Sequence, residues 1–260
     1  MSNAAIACLD TWLKSRLKPE AIPWLSAQVV AIHGGDKIAL SLAFSSAGRR
    51  VGHALLALDE KSCAEARRVH AGWTPERWRI DHAVRTRLAL AMSDADAHHW
   101  LTNIERLFTT GSVEELVALY QALPVLPFPE LLRDRAAEGV RSSMQAVFTA
   151  VALDNPYPSE QFDQDAFNQM VLKAFFLGVD IDRIRGLELR ANADLTRMLL
   201  DYARERRAAS RPIDPRLWRV VGLSADVAAL TDLRQAISDG SEAEQTEATR
   251  ILALLDESNA

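Results

Sequence analysis

The chain has 260 residues, 48% of them hydrophobic and 25% charged, the balance of a folded globular protein long enough for one large domain or two small ones. Its formal net charge of −5 offers no basic footprint for nucleic acid. No apolar run reaches the ~18 residues that span a bilayer, so no membrane insertion is expected, and Cys8 and Cys63, without paired spacing, suggest neither a disulfide framework nor a zinc site.

The N-terminus, "MSNAAIACLD", contains a lipoprotein-like "AIAC" but no basic start and no apolar core before it. A cytoplasmic protein is the expectation. Arginine outnumbers lysine 25 to 5, which reads as genome composition and leaves Lys173 one of five lysines.

Along the chain the signal is helical almost throughout. "AQVVAIHGG" and "DKIALSLAF" have strand propensity, but no hairpin turn bounds them, and "SLAFSSAGRRVG" reads better as a helix end. "WTPERWRIDHAVRTRLALAM" offers Thr74 as N-cap and Pro75 at the first helical position. Asp94 and Asp96 read as N-cap and first-turn acids. His98 and His99 point about 100° apart on a helix and do not suit one metal ion; His33 before two glycines reads as a turn residue.

"SVEELVALYQAL" carries a capping box, Ser112 with Glu115, and a stripe of Val113, Leu116, Val117, Tyr120 and Leu123. Residues 128–153 predict one long helix starting near Pro129. "NPYP" at 155–158 reads as a rigid loop. A helix from near Gln164 follows, apolar over most of its surface, with Phe167, Met170, Val171, Ala174 and Phe175 on one face and Leu172 and Phe176 extending it. "ANADLTRMLLDYARERRAAS" has Asn192 as N-cap and Leu195, Met198, Leu199 and Tyr202 as a stripe. "SEAEQTEATRILALLDES" opens on a second capping box, Ser241 and Glu244. About eleven or twelve helices joined by short loops predict an all-α fold: a single domain of stacked antiparallel helix pairs, a HEAT/armadillo-like α-solenoid.

Residues 182–219 hold ten arginines against six acids, and 224–260 hold eight acids against two arginines. Two solvated faces docked on each other explain this; an anion-facing surface shielded by an acidic tail is the sharper reading.

The block "LYQALPVLPFPELLRDRAAEGVRSSMQAVFTAVALDNPYP", then "FDQDAFNQMVLKAFFLG", then "RIRGLELRANADLTRMLLDYARERRAASRPIDPRLWRVVG" resembles the EboA family, with "RRVG", "GWTPERWRIDHAVRTRLAL" and "LFTTGS" weaker parts of the same likeness. Residues 125–222 are the most specific; residues 224–260 form acidic C-terminal helices. Ser210 departs from the pattern, standing where a glycine is expected. The resemblance implies a helical cytoplasmic protein of bacterial Ebo-type gene clusters, which look like natural-product accessory systems handling or exporting metabolite precursors. They also encode a membrane prenyltransferase-like protein and enzyme-like barrels, the implied partners. The resemblance brings no catalytic residues.

Among candidate site residues Lys173 comes first. A buried ammonium costs several kcal/mol unless paired, so it snorkels to solvent, pairs with Glu160, Asp163 or Asp201, or meets an anionic small molecule. Nothing assembles around it for Schiff-base or general-base work. Asn168 and Gln169 in the same helix are expected to bond neighbouring backbone. Asn155 and Tyr157 serve a connector, or line a pocket mouth with Lys173. Arg190 and Asn192 precede a helix N-terminus, where anions are welcome. Arg197, Asp201 and Glu205 follow four-residue spacing and read as exposed pairs; a functional role requires Arg190, Arg197 and Asp201 to be buried. No phosphate loop, nucleophile elbow or HExxH is found. The expectation is a non-catalytic adaptor or scaffold with no catalytic residue, cofactor or metal; the alternative is an enzyme, enzyme subunit or carrier for an anionic prenyl- or sugar-derived metabolite.

Overall fold

The computed structural model describes residues 2–92 and 95–258. Among the described residues it is helical, with sixteen α-helices. Among the described residues the only strand-like pairing is an isolated antiparallel bridge between Leu55 and Arg79. Contacts divide the chain into two compact units, Met1–Phe162 and Asp163–Ala260.

The first unit holds α1 (Ser2–Arg16), α2 (Ala21–His33), α3 (Lys37–Val51), α4 (Glu60–Val69), α5 (Ile80–Ala89), α6 (Ala97–Thr110), α7 (Val113–Ala122), α8 (Arg133–Arg141), α9 (Gln145–Ala152) and α10 (Tyr157–Gln161). The two strand-like stretches lie in α2 and α3. Asp36 decides the second: its carboxylate accepts from the amides of Ile38 and Ala39 at 2.9 Å each, capping a helix whatever the local β-propensity. Asp96 likewise caps α6 through the amides of His98 and His99; Asp94 lies outside the described residues. The capping box at Ser112 and Glu115 is present. Helix α5 is the hub, packed by α1, α2, α3 and α7, with every residue buried. Beside it Trp12, Trp73 and Trp78 form a ring cluster with centroid separations of 5.4 and 6.0 Å, each such pair adding ~0.5–1.5 kcal/mol beyond its burial.

Three expectations fail here. Thr74 does not cap a helix: its hydroxyl donates to the carbonyl of Asp154 at 2.9 Å, Pro75–Arg77 makes one 3-10 turn, and the helix waits until Ile80. Residues 128–153 are not one helix. Phe128, squeezed between prolines and barred from the right-handed helix, takes φ 51, and Pro129–Leu132 is a 3-10 turn. The chain then breaks after Arg141, where the Ser142 hydroxyl accepts from the amide of Met144 at 3.1 Å, and α9 folds back on α8. Gly139 permits that approach, since a β-carbon there would meet Tyr120 and Val151 at 2.7 Å. Finally, "NPYP" is not wholly loop, because Tyr157 begins a short helix. Such breaks raise the helix number above the dozen expected.

The second unit holds α11 (Gln164–Leu177), α12 (Leu187–Arg190), α13 (Ala193–Ala208), α14 (Arg216–Gly222), α15 (Val227–Asp239) and α16 (Glu242–Ser258). Asp163 caps α11. Gly178, at φ 65, ends it: its amide bonds the carbonyl of Phe175 and that of Val179 bonds Ala174, the pattern that closes a helix on a left-handed residue. Helix α13 packs on α11, α14 and α15, and α16 on α14 and α15. The basic and acidic stretches do meet here, Arg204 on Asp232 at 2.6 Å and Arg207 on Glu244 at 3.9 Å. The Ser241–Glu244 box is formed.

Candidate functional site

In the second unit three of the sequence candidates come together. Asn168 is buried. Its Nδ2 donates to Asn192 Oδ1 at 3.2 Å, and Asn192 Nδ2 donates back to Asn168 Oδ1 at 3.0 Å. Gln164 Nε2 also donates to Asn168 Oδ1, and to the carbonyl of Arg190. Arg190 Nε returns a bond to Gln164 Oε1 at 3.2 Å and its guanidinium lies 4.8 Å over the Phe167 ring. Asn192 Oδ1 meanwhile caps α13 through the amide of Leu195. Asn168 was expected to bond backbone; it bonds side chains instead, because α13 brings its own amide cap to the same point.

The other candidates of this unit stand apart. Gln169 is exposed, against the expectation of burial, and so is Phe176, at 72%; the apolar face of α11 is narrower than its composition suggests. Arg197 and Asp201 have exposed side chains and pair within α13, with Asp194 and Arg204. The burial that a functional role for them required is not found, and the pairs run at three-residue rather than four-residue spacing. Lys173 is half-buried, and burial lowers its ammonium below the ordinary lysine value. Of the carboxylates the sequence offered to it, Asp201 pairs with Arg204 at 3.1 Å, Glu160 with His70 at 3.2 Å, and Asp163 caps α11.

In the first unit Asn155 and Tyr157 are buried at 3% and 1% exposure. Asn155 Nδ2 donates to the carbonyls of Tyr120 and Ala150, and Oδ1 accepts from the Tyr157 amide. The Tyr157 hydroxyl donates to the carbonyl of Pro129, and burial pushes its pKa up. These two side chains tie 155–157 to the ends of α7 and α9 and to the turn that starts at Pro129. That is connector geometry.

Sequence reasoning missed the polar centre of the first unit. Asp81, fully buried, accepts from Arg79 at both oxygens, 2.9 Å each, and from Arg85 Nη1 at 2.5 Å; His53 Nδ1 lies 3.2 Å away. Burial alone would raise this carboxyl, but the hydrogen bonds and charge of the Arg79 guanidinium, with the hydrogen bond from Arg85, overcome it and hold it at about 2. Arg85 Nε donates to the carbonyl of Phe44. His82, next along α5, is pushed down to about 4 by burial and is neutral at pH 7. The signal was present: "RIDHAVRTR" puts charge on every face of a helix, so a buried helix there must pair its charges internally.

Asp81, His82 and Glu114 also present potential metal-ligand atoms within 4.8 Å of one another. The donor set fits a cation poorly. Both Asp81 oxygens already accept guanidinium hydrogens, and Glu114 is itself paired with Arg79. Two fixed cations on the shared carboxylate repel a third.

Compared with known proteins, residues 5–222 match the model of a family described as metabolite traffic protein EboA. Searches of curated proteins and of solved structures returned no match.

Proposed function

Since the chain belongs to the EboA family, whose description is metabolite traffic protein, we propose that it works without catalysis, as a helical adaptor that docks on the metabolite-handling proteins of a bacterial Ebo-type pathway. The observation that carries this reading is where the family-matched part directs its side chains. Its buried amides bond one another or backbone, while large apolar groups, Phe176 at 72% and Leu189 at 91% exposure, face outward. Exposed large hydrophobes of this kind suit protein contact.

The partners are the other proteins of the cluster, its membrane prenyltransferase-like member among them. The place of work is the cytoplasm. Among the described residues no helix is long and apolar enough to cross a membrane, which fits docking to a membrane protein from outside the bilayer. A HEAT/armadillo-like stack belongs to the same proposal: sequence neighbours α2 and α3, α8 and α9, and α15 and α16 pack on each other, although α5, surrounded by four helices, departs from simple stacking.

The test is co-purification with individually co-expressed cluster proteins. Wild type retains at least one, and a Phe176→Glu/Leu189→Glu variant with an unchanged circular dichroism spectrum loses it. Equal retention by the variant rejects this surface. The second reading, an enzyme or carrier for an anionic metabolite, draws on the half-buried Lys173 with its lowered pKa. Turnover of a pathway metabolite by the purified chain, abolished by Lys173→Ala, establishes it over the first.

A further inference from the structure

The first unit has a cleft of about 320 Å³ between α1 and α2, at the small end of cavities that hold ligands. Leu17, just after α1, and Ile22 and Val29 of α2 line it and are only half-buried, so an apolar strip is left that neither helix covers. Asp10, Lys14 and Arg87 also line the cleft.

Arg87 reaches it from α5 with a side chain only 10% exposed. Its counter-charge is Asp10, which accepts from Nε at 2.6 Å and from Nη2 at 3.4 Å and is itself 52% exposed. A half-solvated carboxylate is a weak counter-charge for a buried guanidinium, and Lys14 brings a second cation, so the cleft's own charges leave it positive. Asp10 bonds the Nε–Nη2 edge. The Nη1–Nη2 edge of a guanidinium is a second fork of the kind that carboxylates and phosphates occupy bidentately.

We propose that this cleft binds a free amphipathic anion: a short apolar chain lying along Leu17, Ile22 and Val29, ended by a carboxylate or phosphate held by Arg87 and Lys14. The proposal is independent of the docking reading, which rests on Phe176 and Leu189 in the other unit, and either can fail alone.

The experiment is isothermal titration calorimetry on the full chain with decanoate below its micellar concentration, with decanol, and with phosphatidylglycerol vesicles. Wild type binds decanoate saturably and decanol more weakly. Lys14→Glu, at an exposed helix position that folding tolerates, and Arg87→Lys each weaken decanoate binding about tenfold or more, the worth of one charged hydrogen bond. Val29→Asp, folded by thermal melt, abolishes it by placing charge where the chain lies. Absence of saturable decanoate binding, equal affinity for decanol, an unchanged Lys14→Glu affinity, or binding to vesicles without binding to decanoate each overturns the proposal.

Discussion

Asn168 and Asn192 hold each other by their side-chain amides, each Nδ2 donating to the other's Oδ1, at 3.2 and 3.0 Å. The pair joins the middle of α11 to the first turn of α13, and Asn192 caps α13 with the same oxygen. Removing Asn192 leaves the buried Asn168 Nδ2 without this acceptor, whereas removing Asn168 leaves Asn192 its bond to the Arg190 carbonyl and its cap. Asn168→Ala is expected to cost ~1–3 kcal/mol. Asn192→Ala should cost ~1 kcal/mol more, because the cap goes too. The double variant should lose less than the sum, since each single deletion already removes the two bonds that the residues share. Urea unfolding of the four proteins measures this; strictly additive losses would remove the pair as a unit of stability.

His82 makes stability depend on pH with a definite sign. Its imidazole titrates near 4 in the folded chain and near ~6.5 in the unfolded one. Between these values the unfolded state binds more protons, so stability rises with pH across the window and falls on acidification. The size is on the order of 3 kcal/mol. His82→Gln should flatten urea midpoints between pH 4 and 6.5 relative to wild type. An equal slope in both proteins would locate the titration elsewhere.

The difference between what sequence revealed and what it hid follows from how far each signal reaches. Capping is local. Asn192, Ser112 with Glu115 and Ser241 with Glu244 each act within one turn, and all three are where the pattern puts them. Pairing across helices is not local. Asp81 and Arg85 look like an exposed i,i+4 pair, and only the packing of α1, α2, α3 and α7 around α5 buries them. The same logic inverted applies to Phe176, apolar and therefore expected inside, yet 72% exposed. Asn168 and Asn192 were each legible as polar groups needing partners; that they partner one another depends on the approach of α11 and α13.

His70 and Glu160 act in the opposite sense from His82. The hydrogen bond that His70 Nε2 donates to Glu160 Oε2, at 3.2 Å, raises the imidazole above its ordinary value, against the opposing effect of burial. A raised folded pKa means that the folded state holds the proton more tightly. The pair's contribution is therefore fully present below ~6.5 and disappears as pH rises through the folded value. Glu160 is partly exposed, which limits the gain to about 1 kcal/mol. Glu160→Gln should be less stable than wild type at pH 6 and indistinguishable from it at pH 9 by thermal melt. A constant difference across that range would mean that Glu160 acts without His70.

Ser210 stands where the family resemblance calls for glycine, and its backbone shows why. It ends α13 at φ 51. Its amide bonds the carbonyl of Arg207 at 3.0 Å, and that of Arg211 bonds Arg206 at 2.8 Å, the closure that favours glycine at the left-handed position. An L-residue there carries a penalty of ~1–2 kcal/mol from its β-carbon against the backbone. Glycine removes the penalty but loses ~0.5–1 kcal/mol through the greater freedom of its unfolded chain. Ser210 is exposed, so little packing is lost with its side chain. Ser210→Gly should therefore stabilise the protein by about 0.5–1 kcal/mol, while Ser210→Ala, which keeps the β-carbon, should leave stability near that of wild type. Denaturant midpoints separate the cases. A glycine variant no more stable than the alanine one would show that the strain at this turn is relieved by other means.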